Sequence, residues 1–497
     1  MEVTQNPTIE GLLEKVQKYA KDADLDLVRL AFDFANEAHS GQTRKSGEPY
    51  IIHPLSAAHY LADSKIDPTI VAAALLHDVP EDTTVTLEDI EKNFGADIAG
   101  MVRGITKLGK LKYRGVERYL ENLRKMFIAM AEDVRVMIIK FADRIHNLST
   151  LEHLAPQKRY RIALESLEIY APIANRLGMD DMKGELEDLS FQYVYPKEYN
   201  RIKAIREEKL SGHEQYFEKI ITHAKIELEK SGIKYLSVYG RSKRLYSLYQ
   251  KLLRKNNEIA KVYDTFAIRI IVPTVADCYG ALGILHTFWK PLKGRIKDYI
   301  SQPKPNGYQS LHTTVFSDDG EVIEFQIRTQ AMHDEAEYGV AAHWHYDEFG
   351  SRLPKREIKW AQELAEIQKD ILNKLSDLEE MKVDFLQSRI FVFTPKGDVI
   401  DLPEGATPVD FAYHIHTKIG DKCTGVLVND KMDRLDAELH NGDVVEIIVD
   451  KNRKGPNPDW AQFVKTHTAK LHIKDALKNQ RGLNIGQFLK SVLPSKK

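Results

Sequence analysis

Apolar residues recur at three- and four-residue spacings through Leu27–Ala38, Glu117–Ala131, Val134–Leu148 and Ile162–Leu177, with little β-branched alternation. From Leu25 to about residue 200 the chain therefore reads as helical. One segment inside it is sharply bounded. Asp67-Pro68 supplies an N-cap and a first-turn proline, Val71 to Leu76 are apolar, and Pro80 closes a helix that ends at His77-Asp78. From about Ser237 the texture changes. Phe266–Val272 is β-rich with a proline stop, and Glu321–Arg328 alternates at period two. With helical stretches between and after them, these strands predict a mixed α/β domain. Residues 355–384 are charged and read as a helical connector. A small β-rich module follows, with strands at Arg389–Thr394, Asp398–Leu402, Gly425–Asn429 and Asp443–Val449. From about Trp460 the chain reads as helical, ending in a basic tail.

At 497 residues the chain has room for roughly three domains. Its 43% hydrophobic and 29% charged content is that of globular protein, and a net charge of −2 confines any nucleotide site to a local basic patch. Cys278 and Cys423 are the only cysteines, which excludes a disulfide framework and a thiolate zinc finger. The N-terminus lacks the basic and apolar regions of a secretory leader. The apolar run at Ile70–Leu76 is far short of the about 20 residues a membrane span requires. The expectation is a cytoplasmic protein with no membrane partner.

His53, His77, Asp78 and Asp143 are two imidazoles and two carboxylates, a set that suits a hydrolytic divalent metal without thiolates. Such a metal acidifies water and clamps phosphate oxygens, so the pattern reads as phosphoester hydrolysis. Glu81 and Asp82 can orient or deprotonate the attacking water, or simply cap the next helix. Arg44 and Lys45 offer cations to phosphates, or form a solvated turn. Asn147 and Thr150 read equally as helix-end polar residues. His39, His59, His146 and His153 read as surface or core histidines.

A second constellation begins at Gly240-Arg241-Ser242-Lys243-Arg244, read as opening a helix that runs through Lys251 and cradles phosphate at its start. Asp264 stands before the strand carrying Arg269, where a carboxylate can hold Mg²⁺ against substrate phosphates. Arg295 and Lys297 add cations. Lys304, Asn306 and Tyr308 add a turn, an amide and an aromatic face suited to a base, and Glu324 is a candidate general base. No GxxxxGK[ST] occurs, so this is a nucleotide site of another kind than the P-loop.

These motifs resemble the long RelA/SpoT homologues, makers and breakers of the alarmone guanosine tetraphosphate (ppGpp). The likeness spans about residues 25–480: RKSGEPYIIHP, HDVPEDT and ADRIHN from the hydrolase, GRSKRLYS, KDYISQPKPNGYQSLHTT, EFQIRT and MHDEAEYGVAAHW from the synthetase, and RIFVFTPKGDVIDLPEGATPVDFAYHIHTKIGD from the TGS module. The resemblance implies an all-α HD-type hydrolase (1–200), an α/β nucleotidyltransferase-like synthetase with a mixed sheet (201–350), a helical connector (351–387), a small β-grasp TGS module (388–450) and a helical C-terminal segment (451–497). It implies that His53, His77, Asp78 and Asp143 bind Mn²⁺, that Glu81 and Asp82 activate water, and that Arg44, Lys45, Asn147 and Thr150 hold the alarmone. In the synthetase, Arg241 and Arg269 would sandwich the adenine of ATP, Lys243, Lys251 and Lys297 contact phosphates, Arg295 join the substrate-binding set, and Asp264 bind Mg²⁺. Glu324 would activate the 3′-hydroxyl of GDP or GTP, with Tyr308, Lys304 and Asn306 on the guanine.

Arg295-Ile296-Lys297-Asp298 is similar to the basic RxKD version of bifunctional members, not the acidic version of synthetase-only members. Pro80, Ser149 and Arg244 depart from common family residues without removing an assigned ligand. Full-length members continue into a zinc-finger or RNA-recognition-like domain and an ACT domain, which this chain is expected to lack. His416 matches the position that meets the CCA end of uncharged tRNA, making tRNA and the ribosome candidate partners; an oligomer stays open. Two active sites of opposite effect call for reciprocal control, relayed by the helices at about 150–200. Two alternatives remain: a hydrolase whose second domain only senses nucleotides, and a non-catalytic regulator.

Overall fold

The computed structural model describes residues 7–109, 129, 132–210, 214–254, 266–304, 307–317, 319–339, 389–395, 399–440, 442–450, 453, 455–466 and 468–476. The helix expected at Glu117–Ala131, the connector and the basic tail lie largely or wholly outside them. The chain divides into two compact units, Met1–Gln368 and Lys369–Lys497. Among the described residues no helix is long and apolar enough to cross a membrane.

The first unit opens with α1 (Ile9–Tyr19), α2 (Leu25–Ala38), α3 (Ile52–Asp63), α4 (Pro68–Leu76), α5 (Val79–Asp82), α6 (Leu87–Gly109) and α7 (Arg135–Ser149). The middle of this bundle is α4. Asp67 caps it by accepting Thr69 N–H at 2.8 Å, and Ile70 to Leu76 are all buried. A helix apolar on every side must be surrounded, and α2, α3, α6 and α7 surround it. The predicted helix at Ile162–Leu177 is interrupted: α8 (Pro156–Glu165) passes through a π-turn at Ser166–Tyr170 into α9 (Ala171–Arg176). Next come α10 (Asp180–Val194), α11 (Pro196–Leu210) and α12 (Glu214–Lys230).

The α/β part contains β1 (Ser237–Ser242), α13 (Leu245–Arg254), β2 (Phe266–Val272), α14 (Val275–Phe288), β3 (Lys297–Asp298), β4 (Leu311–Phe316), β5 (Val322–Thr329) and α15 (Gln330–Tyr338). Its mixed sheet runs β1-β2-β5-β4-β3, with β2 and β5 parallel and the other neighbours antiparallel. Ile268, Ile270, Val272, Phe325 and Ile327 bury one face, and Trp289 stacks on Phe325 at 5.4 Å. Thr274 and Asp277 form a reciprocal capping box at the start of α14.

The helical and α/β parts meet through α10. Asp188 accepts Leu245 N–H at 3.2 Å and Tyr246 N–H at 2.8 Å, so a carboxylate from α10 caps α13. Arg244 bonds Asp181 and Glu185, lying so close over Gly184 that a Cβ there would stand 2.2 Å from Arg244 Cδ.

The second unit holds a β6 (Arg389–Phe393)–β7 (Val399–Pro403) pair, α16 (Pro408–Ile415), α17 (Thr417–Lys422) and the sheet β10-β8-β9 (Val445–Val449, Cys423–Val428, Lys431–Asp433). A parallel bridge between Phe393 and Val444 joins the sheets into the expected β-grasp module. Buried Asp410 closes the capping box of α16 and accepts the backbone N–H groups of Lys465 and Thr466, tying the C-terminal segment to the module.

Two candidate active sites

His53 lies in the first turn of α3, His77 caps the C-terminus of α4 with Asp78 beside it, and Asp143 sits inside α7. His53, His77 and Asp143 are buried, with one ligand atom from each within 4.8 Å of the others. Asp78 places oxygens 3.1 Å from His77 Nε2 and 3.3 Å from His53 Nε2, while Asp143 Oδ1 is 3.2 Å from His53 Nε2.

The tautomers follow from the partners. His77 Nδ1 is 2.7 Å from the Ala74 carbonyl, which can only accept, so Nδ1 carries the hydrogen. Its Nε2 is then a bare acceptor, buried with no hydrogen-bond partner among the described residues. A lone pair facing carboxylates is repulsive unless a cation lies among them. The donor set and this orphaned nitrogen fit a divalent metal ion.

Behind the ligands lies a polar layer in which Arg44 and Asn147, expected as substrate contacts, join His146, Lys140 and Tyr50, whose roles the sequence did not single out. Arg44 Nη1 donates to His146 Nδ1 at 3.1 Å, so the hydrogen shared with His53 Nδ1, 2.8 Å away, belongs to His53. Burial, then the charges of His53 and Arg44, hold His146 down at about 3, keeping it neutral. Arg44 Nη2 also donates to Asn147 Oδ1 at 2.7 Å, and the Asn147 amide donates to Asp143. Lys140 Nζ stands 2.6 Å from Asp143 Oδ2. The Tyr50 hydroxyl lies 3.0 Å from Asp78 Oδ2 and 2.5 Å from Asp82 Oδ2. The Tyr50 hydroxyl thus joins Asp78 of the ligand group to Asp82 on the next turn.

The remaining expected residues frame the site. Glu81 and Asp82 end α5 at the rim of the site, where partial burial, then Asp78, Asp82 and Asp143, push the Glu81 carboxyl up to about 7 against the pull of Lys140. Lys45 is exposed in a turn closed by Arg44 N–H on Glu48 O, with Gly47 at φ +89°. Thr150 folds its hydroxyl onto the His146 and Asn147 carbonyls.

In the α/β part, Gly240 to Ser242 end strand β1 and the helix starts at Leu245. The expected phosphate cradle is therefore corrected: strand pairing with β2 claims that segment, and Asp188 takes the N–H groups at the helix start. Arg241 and Arg269 are diagonal neighbours on β1 and β2, since Arg241 pairs with Ala267 and Arg269 with Tyr239. Lys243 lies between β1 and α13, and Lys251 on α13. Arg295 and Lys297 are exposed near β3, whereas Asp298 accepts from Ile300 and Ser301 N–H, both at 2.9 Å, and shapes the turn.

Glu324 on β5 lies 3.2 Å from His312 Nδ1, and His312 Nε2 lies 2.7 Å from the Tyr308 hydroxyl. His312 connects the expected base to the expected guanine platform, a role its position in Gln-Ser-Leu-His did not reveal. Lys304 Nζ stands 4.6 Å from the Tyr308 ring centroid and 4.8 Å from that of Tyr299, a cation over two aromatic faces. Asp264 and Asn306 lie outside the described residues. In the second unit, exposed His416 caps α17, its Nδ1 accepting Lys418 N–H at 3.0 Å.

Comparison with known proteins agrees with this layout. Residues 31–180 match the HD domain, 240–351 the region found in RelA/SpoT proteins, and 390–449 the TGS domain. The chain is 45% identical over 480 residues to a guanosine-3′,5′-bis(diphosphate) 3′-pyrophosphohydrolase of Aquifex aeolicus (strain VF5), covering 96% of this chain and 68% of that one. It is 44% identical to the bifunctional (p)ppGpp synthase/hydrolase SpoT of Escherichia coli (strain K12), covering 95% and 67%. A GTP pyrophosphokinase of Myxococcus xanthus is also 44% identical, covering 95% and 64%. The chain thus spans about two thirds of the length of these curated relatives. With three family regions in order and this identity over nearly its whole length, the chain belongs to the RelA/SpoT family.

Proposed function

We propose that the chain is a bifunctional alarmone enzyme, transferring pyrophosphate from ATP to the 3′-hydroxyl of GDP or GTP and hydrolysing the product (p)ppGpp. The observation that carries the proposal is the presence, in one compact unit, of the buried His53/His77/Asp143 group and of the Arg241/Arg269 pair beside the Glu324–His312–Tyr308 row. The names of the relatives, covering both activities, support it.

In synthesis, Glu324 takes the proton of the guanosine 3′-hydroxyl, whose oxygen bonds to the β-phosphorus of ATP. The bond from that phosphorus to the α–β bridging oxygen breaks, and AMP leaves. His312 holds Glu324 in place, and Tyr308, with Lys304 and Asn306, takes the guanine. Arg241 and Arg269 flank the adenine; Lys243, Lys251, Arg295 and Lys297 meet phosphates; Asp264 holds Mg²⁺. In hydrolysis, His53, His77, Asp78 and Asp143 hold Mn²⁺, which when bound supplies Lewis acidity at the 3′-pyrophosphate. Glu81 or Asp82 takes a proton from water, the water oxygen bonds to the phosphorus next to O3′, the bond from that phosphorus to O3′ breaks, and pyrophosphate departs while O3′ takes up a proton to restore the 3′-hydroxyl of GDP or GTP. Lys45 and Thr150 line the approach. Arg44 and Asn147, engaged with His146 and Asp143, act by holding the ligand layer as well as meeting substrate.

Domain limits of 1–200, 201–350, 351–387, 388–450 and 451–497 fit this division of labour. Control is reciprocal, and α10, which contacts both α7 and α13, relays it. A cytoplasmic site of action, and contact of His416 with uncharged tRNA at the ribosome, complete the reading.

The test follows the phosphate. ATP labelled at the γ-position, with GDP and Mg²⁺, should give unlabelled AMP and a labelled guanosine product. That product, repurified and given Mn²⁺, should release labelled pyrophosphate. Hydrolysis without any synthesis would reduce the chain to a hydrolase with a nucleotide-sensing second domain.

A further inference from the structure

The last turn of α15 carries a carboxylate that none of the assignments above uses. Glu337 Oε1 lies 2.8 Å from Arg269 Nη1, 2.8 Å from Arg328 Nη2 and 3.4 Å from Arg241 Nη1. One oxygen thus collects guanidinium groups from β1, β2 and β5. Burial raises the Glu337 carboxyl, but Arg241, Arg269 and Arg328 outweigh it and hold it down at about 2, so it is ionised at neutral pH.

The cluster remains electrostatically open. Three guanidinium charges meet a single carboxylate, and the neighbouring His333 is held down at about 4 by burial and Arg328, so it accepts from Arg328 Nη2 at 2.7 Å as a neutral ring. Buried Arg328 keeps Nε and Nη1, and buried Arg269 keeps Nε, without hydrogen-bond partners among the described residues. The group borders a cavity of about 440 Å³ lined also by Tyr239, Gly240 and Ser242. A buried guanidinium with unmet donors is costly. An arrangement that nevertheless fixes two long side chains beside a cavity saves the ordering entropy when a ligand enters.

We propose that Glu337 is a positioning residue for ATP: its carboxylate sets Arg241 and Arg269 at the spacing that receives the purine, with Arg328 bracing it from behind. This rests on the synthetase reading above. Glu337 itself does not touch the reacting atoms. Its neighbour Gly339 presses against the backbone of Leu177 to Met179, so the carboxylate's position is set from the helical part of the unit.

The experiment measures equilibrium binding of α,β-methylene-ATP, whose bridging bond cannot be cleaved in the transfer, and separately of GDP, to the full chain. Glu337→Gln keeps shape and removes charge. It should weaken the ATP analogue about tenfold, the loss of one charge-assisted contact or ~1.4 kcal/mol, and leave GDP affinity within about twofold. Glu337→Asp should fall between variant and wild type, and it carries the same test should Glu337→Gln fail to fold. Unchanged analogue binding, or equal loss of GDP and analogue, overturns the proposal while wild-type synthesis stands. A wild-type chain that makes no AMP from ATP and GDP overturns both proposal and reading.

Discussion

His146 Nδ1 sits 2.8 Å from His53 Nδ1, and it is the acceptor of that pair because Arg44 already donates to it. The consequence reaches the opposite edge of the His53 ring, where Nε2 is the nitrogen that faces Asp78 at 3.3 Å and Asp143 at 3.2 Å. Replacing His146 with Ala should weaken Mn²⁺ binding by about 10- to 100-fold, the usual effect of losing a partner behind a metal-bound histidine. Calorimetric titration of the variant with Mn²⁺ checks this, and synthesis from ATP and GDP should persist.

Asp188→Ala removes the acceptor for Leu245 and Tyr246 N–H. Loss of such a cap costs about 0.5–2 kcal/mol. Urea unfolding should show that loss, and synthesis should fall further than Mn²⁺ binding, because α13 carries Lys251 while the histidines lie elsewhere. Asp188→Asn, which keeps one acceptor oxygen, should recover part of both.

Gly339 has φ +58°, and a Cβ there would stand 2.2 Å from the Leu177 carbonyl oxygen. Backbone cannot yield as a side chain can. Gly339→Ala should cost more than about 1 kcal/mol, lowering the melting midpoint of the first unit. A variant that melts with wild type would show that this close approach is not kept in solution.

These contacts mark the boundary of what sequence conveyed. Asp67-Pro68, the apolar run to Leu76 and the His77-Asp78 step dictated α4 and its C-terminus locally, and the structure has both. The strands at Phe266 and Val322 were equally legible from pattern. Gly240-Arg241-Ser242 was misread because its polar residues resemble a helix start, while its strand partner near Ala267 lies far along the chain. His146, Lys140 and Tyr50 were missed for a related reason: their roles depend on which helices cross at α4. Asp188 and Glu337 are unremarkable carboxylates until folding brings basic groups to them. The candidate metal ligands His53, His77, Asp78 and Asp143, by contrast, can be nominated from the sequence because their residue types alone narrow the chemistry.

Acid should weaken the synthetase region before general unfolding. His333, held down at about 4, stays neutral in the fold while the unfolded ring protonates, so stability falls as pH drops from about 6.5 to about 4. Glu337, held down at about 2, contributes stability above its ordinary range that is lost as pH falls from about 4.5 toward 2. The two effects share a sign. Together they predict a steep acid limb in a plot of unfolding free energy against pH, and Glu337→Gln should flatten its lower part. An unchanged slope below about pH 4.5 in Glu337→Gln would contradict an ionised Glu337 carboxylate held by the three guanidinium groups.

The central claim is that one chain makes and destroys the same molecule at two separate sites. The most direct measurement compares wild type, Glu324→Gln and Asp78→Ala in both assays. One follows labelled pyrophosphate from ATP onto GDP with Mg²⁺, and the other its release from purified product with Mn²⁺. The account predicts loss of synthesis alone in Glu324→Gln and loss of hydrolysis alone in Asp78→Ala. Both activities lost in either well-folded variant, or synthesis surviving in Glu324→Gln, would contradict it.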